Sequence, residues 1–307
     1  MQPVYSSTLK PTHQIPIRYN LAQYSQMGLH HKIFFSSRPS VTRTGPTGSD
    51  HLKHVPTSST LIYGENNAVL VDAQLTIEAA DDLTEWVAST GKNLAAIYIT
   101  HSHGDHHFGA SALLVRFPNA QVLATSEVAS RMQKEHSPER LQSFWRKLFP
   151  DQIPVTFASA TPLPKDEFEL EGEKLEVVRL GHTDCDETTA LWVPSIRLLV
   201  AGDSVYGNTH PFMGESGTVE SRLAWIAALD RLALLDAKVV VGGHSDPKSS
   251  FGPEVIGETR SYFEDFNRVV DGADTAQEVY GRMVELYPER LNPGSLWSGA
   301  ALVRDVL

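Results

Sequence analysis

A single cysteine, Cys185, occurs in 307 residues. One thiol excludes an internal disulfide framework and fits a reducing compartment, so a cytoplasmic location is expected. No apolar run reaches the roughly 18 residues needed to cross a bilayer, and no membrane association is expected. The opening stretch, Met1-Gln-Pro-Val-Tyr-Ser-Ser7, lacks the charged start and apolar core of a secretory signal. Its scarcity of acids leaves an organellar transit peptide as the alternative. Basic residues are outnumbered, 26 Lys/Arg to 37 Asp/Glu, for a formal charge of −11. An acidic body repels phosphate backbones, so nucleic acid is disfavoured as a partner. There is also no Gly-x-Ser-x-Gly elbow, the turn that presents a serine nucleophile. No internal repeat is visible, and no low-complexity tract beyond the Ser/Thr/Pro stretch near residues 36–60. With 41% hydrophobic and 21% charged residues the chain reads as globular and long enough to bury a sizeable core.

What is present is concentrated in Thr100-His-Ser-His-Gly-Asp-His-His-Phe-Gly109. Within it, His101-x-His103-x-Asp105-His106 sets four ligand types into six residues. Imidazole and carboxylate are the donors that zinc and similar ions prefer. The run Leu94-Ala-Ala-Ile-Tyr-Ile99 before it has the character of a buried strand, and Ala110–Arg116 after it reads as the start of a helix. The motif therefore falls on a strand-to-helix loop, where a rigid scaffold can present side chains to a cleft.

Three more strand-like runs stop at glycine with a ligand type directly behind: Leu175–Leu180 before Gly181-His182, Arg197–Ala201 before Gly202-Asp203, and Lys238–Val241 before Gly242-Gly243-His244. Glycine allows the tight backbone turn each position is expected to need.

His101, His103, Asp105, His106, His182, Asp203 and His244, in that order, resemble the metallo-β-lactamase-fold hydrolase superfamily over about residues 58–250. The resemblance implies an α/β (α+β) fold, a four-layered αββα sandwich carrying two metal ions at one edge. It implies one metal held by His101, His103 and His182, the other by Asp105, His106 and His244, with Asp203 bridging. It also implies that Asp72 orients the metal loop, a turn aspartate being the alternative. The cysteine-ligand lactamase pattern is not matched: Cys185 lies three residues past His182, and aspartate fills the bridging position. The broader esterase, thioesterase and lactonase branch fits better.

Around this core the chain divides into an N-terminal arm (1–55), a catalytic domain (56–250) and a C-terminal helical extension (251–307). The arm holds Lys10, Arg18, Lys32, Arg38, Arg43 and Lys53 against Asp50, a balance of +5 that leaves −16 for the rest. A basic arm on an acidic body is expected to pack across it or onto a partner subunit, as in a homodimer. His13, His30, His31, His51 and His54 read as surface or hydrogen-bonding residues, one or two of which could reach the cleft. A hairpin is expected over 58–72 and helices over 76–89, from about 126, and from 138. The insertion 126–165 could roof the active site. Its Phe144, Trp145 and Phe149 suit either core packing or a substrate wall. Helices are expected at 219–235, 254–270 and 275–287, then a tail containing Trp297. The loop Thr183–Glu187 could supply a carboxylate to a ligating imidazole. Tyr206 and His210, close to Asp203, could touch substrate; a packed tyrosine and a satisfied loop histidine are the alternatives.

These residues imply a hydrolase in which two zinc ions, with iron or manganese as substitutes, activate a bridging hydroxide and Asp105 manages its proton. A small, neutral, fairly apolar cyclic ester or amide is the expected substrate. A thioesterase resembling glutathione thioester hydrolases is the alternative, and an iron-dependent dioxygenase the alternative of another class.

Overall fold

The computed structural model describes residues 28–39 and 54–304. Among the described residues, eleven strands form two sheets. The first has six, in the order β1 (His30–Pro39), β2 (His54–Tyr63), β3 (Asn67–Val71), β4 (Asn93–Tyr98), β5 (Gln121–Ala124) and β6 (Thr161–Pro162). The second runs β11 (Val239–Ser245), β10 (Leu198–Gly207), β9 (Thr188–Val193), β8 (Glu173–Gly181) and β7 (Glu167–Leu170). Side chains alternate across a strand, and here both faces are apolar. Val69, Val71, Ala96 and Tyr98 face Val177, Leu191, Val193 and Val200 between the sheets. Their neighbours Ala68, Leu70, Ile97 and Ile99 face the helices α1 (Ile77–Ser89), α2 (Ala110–Arg116) and α3 (Ser126–Glu135). On the far side, Leu199, Ala201 and Val240 pack under the helices Val219–Leu232, Glu254–Asp271, Ala276–Leu286 and Pro293–Arg304. The four layers are helix, sheet, sheet, helix, as the resemblance implied.

Several local expectations hold for chemical reasons. Thr76 caps α1 by accepting from Ala79 N–H, and Gly91 follows the helix at φ +68°. Ser137 likewise caps the turn begun by Pro138. Ala80, Leu83 and Val87 form the buried face of α1, whereas Ile77 at its first turn is exposed.

Other elements differ. Residues 30–39 of the arm form an edge strand, β1, paired antiparallel with β2 from His30–Tyr63 to Pro39–His54. Residues 1–27 and 40–53 of the arm, with His13, His51 and the expected dimer contact, lie outside the described residues. The tail carrying Trp297 is the helix Pro293–Arg304. The insertion buttresses the metal loop: Trp145 and Phe149 are buried in one cluster with Phe108 and Leu75, and Trp145 Nε1 donates to Glu135. Of the two readings offered by the sequence, core packing is the one these residues follow.

The sequence suggests strand ends at Gly202 and at Gly242-Gly243, but β10 and β11 run on through them. Between the pairs Gly202–Gly242 and Tyr206–His244, β10 has three residues where β11 has only Gly243. This irregularity aims Asp203 out of the ladder, the common use of a bulge beside a site.

Candidate metal centre

The centre lies where four chain segments meet: the loop after β4, the strands β10 and β11, and the β8–β9 loop that carries Asp184. His101 and His103 follow β4, and Gly104–His106 forms one tight helical turn. Asp203 projects from the irregular part of β10, and His244 sits near the end of β11. Gly243 is needed for space: a Cβ there would stand 2.1 Å from Asp203 Oδ1 and 2.8 Å from His106 Cε1.

Four histidines are pinned in the same way. His106 Nδ1–H donates to Asp72 Oδ2 at 2.8 Å. Thr100 Oγ1 gives its hydrogen to Asp72, so it accepts from His101 Nδ1–H at 3.0 Å. His103 Nε2–H donates to Glu215 Oε1 at 3.1 Å, and His244 Nδ1–H donates to the Pro56 carbonyl. Each ring keeps one lone pair, on His101 Nε2, His103 Nδ1, His106 Nε2 and His244 Nε2, and all four face inward. Asp72 holds the whole loop, accepting also from Thr100 N–H at 2.9 Å. Its implied orienting role matches this geometry, with φ at +61°, a conformation aspartate tolerates.

The inward atoms approach carboxylates. His106 Nε2 is 3.1 Å from Asp203 Oδ1; His244 Nε2 is 3.1 Å from Asp203 Oδ2 and 3.3 Å from Asp105 Oδ2. Among the described residues, three overlapping ligand groups result: His101 with His103 and Asp184, His101 with His106 and Asp203, and Asp105 with His106 and His244. In each, the donor atoms lie within 4.8 Å of one another. His101 Nε2, His106 Nε2, Asp184 Oδ2 and Asp203 Oδ1 are buried without an aligned hydrogen bond. Buried polar atoms are normally paired; lone pairs that converge yet do not bond to each other fit a shared cation.

Charge follows the same geometry. Burial opposes protonation of His106 and His244, but Asp203 and Asp105 outweigh it, with Asp72 adding to the effect at His106. The His106 pKa lies well above the ordinary imidazole range and that of His244 at about 9. Burial would raise the Asp203 pKa, yet the two imidazoles hold it well below the usual carboxylate range. Proton and metal compete for these lone pairs, so the carboxylates that favour imidazolium also favour a divalent cation.

The remaining sequence-predicted residues are placed differently. His182 joins none of the three groups: its Nδ1 lies 2.6 Å from Asp186 Oδ1 and its Nε2 3.0 Å from Ser216 Oγ. Tyr206 is fully buried and donates to Asp203 Oδ2 at 2.8 Å, so it positions a ligand and cannot meet substrate as it stands. His210 is buried against the Tyr262 hydroxyl at 2.9 Å and lines a cavity of about 600 Å³ with Tyr287 and Arg290, apart from the ligand groups. Of the residues not singled out before, Asp184 belongs to the loop expected to supply a carboxylate, but Glu215 and Phe212, whose ring lies edge-on to His103, had no local signal. Arg131 of α3 stands 3.5 Å from Glu215 and from Asp186, joining the insertion to the rim.

The sequence model of the metallo-beta-lactamase superfamily matches residues 52–244. The chain belongs to this superfamily. Its members are hydrolytic metalloenzymes that typically bind zinc. Solved superfamily structures share the fold. The metallo-beta-lactamase family protein TTHA1429 from Thermus thermophilus superposes with a TM-score of 0.60 at 22% identity, over 87% of this chain and 91% of its own. The metallo-beta-lactamase FIM-1 from Pseudomonas aeruginosa, in a mono-zinc form, gives 0.55 at 14%, over 76% and 91%. Hydroxyacylglutathione hydrolases from Francisella tularensis subsp. novicida and Francisella philomiragia subsp. philomiragia are each 39% identical over 67 residues, 22% of this chain. The match spans about a quarter of the length of these curated relatives.

Proposed function

We propose that this superfamily member hydrolyses an acyl bond of a small molecule at a centre of two divalent cations, zinc first among them. The observation that carries the reading is the set of four imidazoles, each pinned through its outer nitrogen, whose inner lone pairs surround Asp203 and Asp105. Bound cations would supply a water of near-neutral pKa and polarise the acyl oxygen. The chain's own groups do the rest. Asp72, Thr100, Glu215 and the Pro56 carbonyl hold the ring tautomers. The Tyr206 phenol, whose pKa burial and Asp203 push well above its usual range, stays protonated and fixes Asp203. Asp105 Oδ2, beside His244, is placed to take the proton of the attacking water.

A neutral or weakly charged cyclic ester or amide is the first substrate class. The net charge of −11 supports it, because it opposes highly charged anions and nucleic acids. Phe144, Trp145 and Phe149 lend it no support, since they pack within the insertion. A thioester is the second reading, favoured by the partial match to hydroxyacylglutathione hydrolases.

The test is kcat/KM at matched ionic strength for an aromatic lactone, a lactam, an ester, a glutathione thioester and a phosphodiester. Each is run before chelation, after it, and after metal is restored. Acyl turnover that disappears with chelation and returns with metal is expected. Turnover indifferent to chelation, or a clear preference for the phosphodiester, would sink the reading.

A further inference from the structure

His182 and Asp184 are two residues apart on the β8–β9 loop, and only one of them faces the other imidazoles. Both nitrogens of His182 point at oxygen acceptors, the Asp186 carboxylate and Ser216 Oγ. Ser216 gives its own hydrogen to the Thr183 carbonyl at 2.6 Å, so toward His182 it can only accept. With both nitrogens engaged at the rim, His182 stands outside all three ligand groups.

Asp184 is the reverse. Its side chain is fully buried, and Oδ1 accepts from Thr183 Oγ1 at 2.9 Å and Thr188 Oγ1 at 3.3 Å. The Thr183 hydroxyl holds the carboxylate, while the Thr188 hydrogen is shared with the Cys185 carbonyl at 3.0 Å. Oδ2 has no aligned hydrogen bond and stands 2.8 Å from His103 Nδ1 and 3.3 Å from His101 Nε2, the atoms whose lone pairs remain. A buried carboxylate oxygen this close to two imidazole nitrogens needs a proton or a metal cation between them, and it forms one ligand group with both.

We propose that Asp184, in place of His182, is the third protein ligand at the metal position of His101 and His103. This rests on the reading of the cluster as a two-cation centre. The centre then has four imidazoles and three carboxylates (Asp105, Asp184 and Asp203). The third carboxylate cancels one more unit of cation charge. An oxygen donor in place of a nitrogen shifts this position toward harder ions such as manganese, relative to a three-histidine site. His182 becomes a rim residue that ties the loop to Ser216 and Asp186.

The test counts metals and imidazoles in the full-length protein. Metal-depleted wild type, Asp184→Asn and His182→Gln are titrated with zinc, and bound equivalents are measured by calorimetry and elemental analysis, with far-UV circular dichroism as the folding control. Two equivalents are expected in wild type and in His182→Gln. Asp184→Asn, nearly isosteric but neutral, is expected to lose one equivalent or to bind it roughly 100-fold more weakly. A second measurement needs no variant: cobalt-loaded wild type should show four exchangeable, hyperfine-shifted imidazole N–H resonances. A fifth resonance, loss of an equivalent in His182→Gln, or full retention of both in Asp184→Asn overturns the assignment. A wild type that binds two metals yet shows five such resonances overturns the assignment alone. A wild type that binds none overturns the two-cation reading with it.

Discussion

Asp72 shows how much of the centre is carried by a residue that touches no inward lone pair. It accepts from Thr100 N–H, Thr100 Oγ1 and His106 Nδ1–H together. Asp72→Asn replaces an acceptor by an NH₂ group facing donors, which forces the His106 proton toward the inward nitrogen. A loss of about 10- to 100-fold in metal affinity is expected, the usual scale for partners of ligating histidines. Competition with a chromogenic chelator measures it, and an unchanged affinity refutes the role. Asp105→Asn addresses the chemistry. It should reduce kcat by roughly 10²–10⁴, the range for a positioned proton acceptor, in protein whose metal content and fold are confirmed. Wild-type kcat would remove Asp105 from the mechanism. At this scale the sequence is legible as far as donor chemistry reaches. His101, His103, Asp105, His106, Asp203 and His244 are identifiable by type and order, and the structure brings them together. The difference between His182 and Asp184 is not legible, because it depends on the hydroxyls of Thr183, Thr188 and Ser216, which close on the loop only after folding.

Elements follow the same division. Apolar alternation and capping residues place β3, β4, α1 and α3 well, since those signals are local. The irregular stretch of β10 is invisible in sequence, because a glycine that makes room and a glycine that ends a strand look the same; only the approach of Asp203 to Gly243 separates them. The aromatic stripe of the insertion is equally ambiguous between core and wall, and Phe108 decides it. The Phe108 ring lies 5.5 Å from Trp145 and 4.5 Å from Phe157, and it is two residues beyond His106. Trp145→Ala should therefore act on stability, at about 3–5 kcal/mol for a large aromatic lost from a packed cluster. The ranking of substrates by kcat/KM should stay as it is. Denaturant unfolding and the acyl substrate panel test both halves, and a reordered panel at unchanged stability would restore the insertion as a substrate wall.

The whole molecule is joined across its layers by contacts far from the metals. Thr209 bridges to Leu291, Arg290 donates to the Thr209 carbonyl at 2.7 Å, and His210 is shut between these and Tyr262. The C-terminal helices thereby close over the sheet that carries Asp203 and His244. Burial, reinforced by the Arg290 charge, lowers the His210 pKa to about 3, whereas an unfolded histidine titrates near 6.5. The sign follows directly. Above about pH 6.5 the ring is neutral in both states and has no pH-dependent effect on stability. As pH falls below that value the unfolded chain takes up a proton that the folded chain refuses. Stability is lost at up to about 1.4 kcal/mol per pH unit, until the folded pKa is reached. His210→Asn keeps a polar partner for Tyr262 but cannot titrate. Other groups contribute to the total slope, so the informative quantity is the difference between the two proteins, both saturated with metal. The variant is expected to lose some stability at pH 7.5 through poorer packing, and to show the shallower decline between pH 6.5 and pH 4.5. Parallel curves from urea unfolding across that window would show that His210 is not held neutral by the closed C-terminal layer.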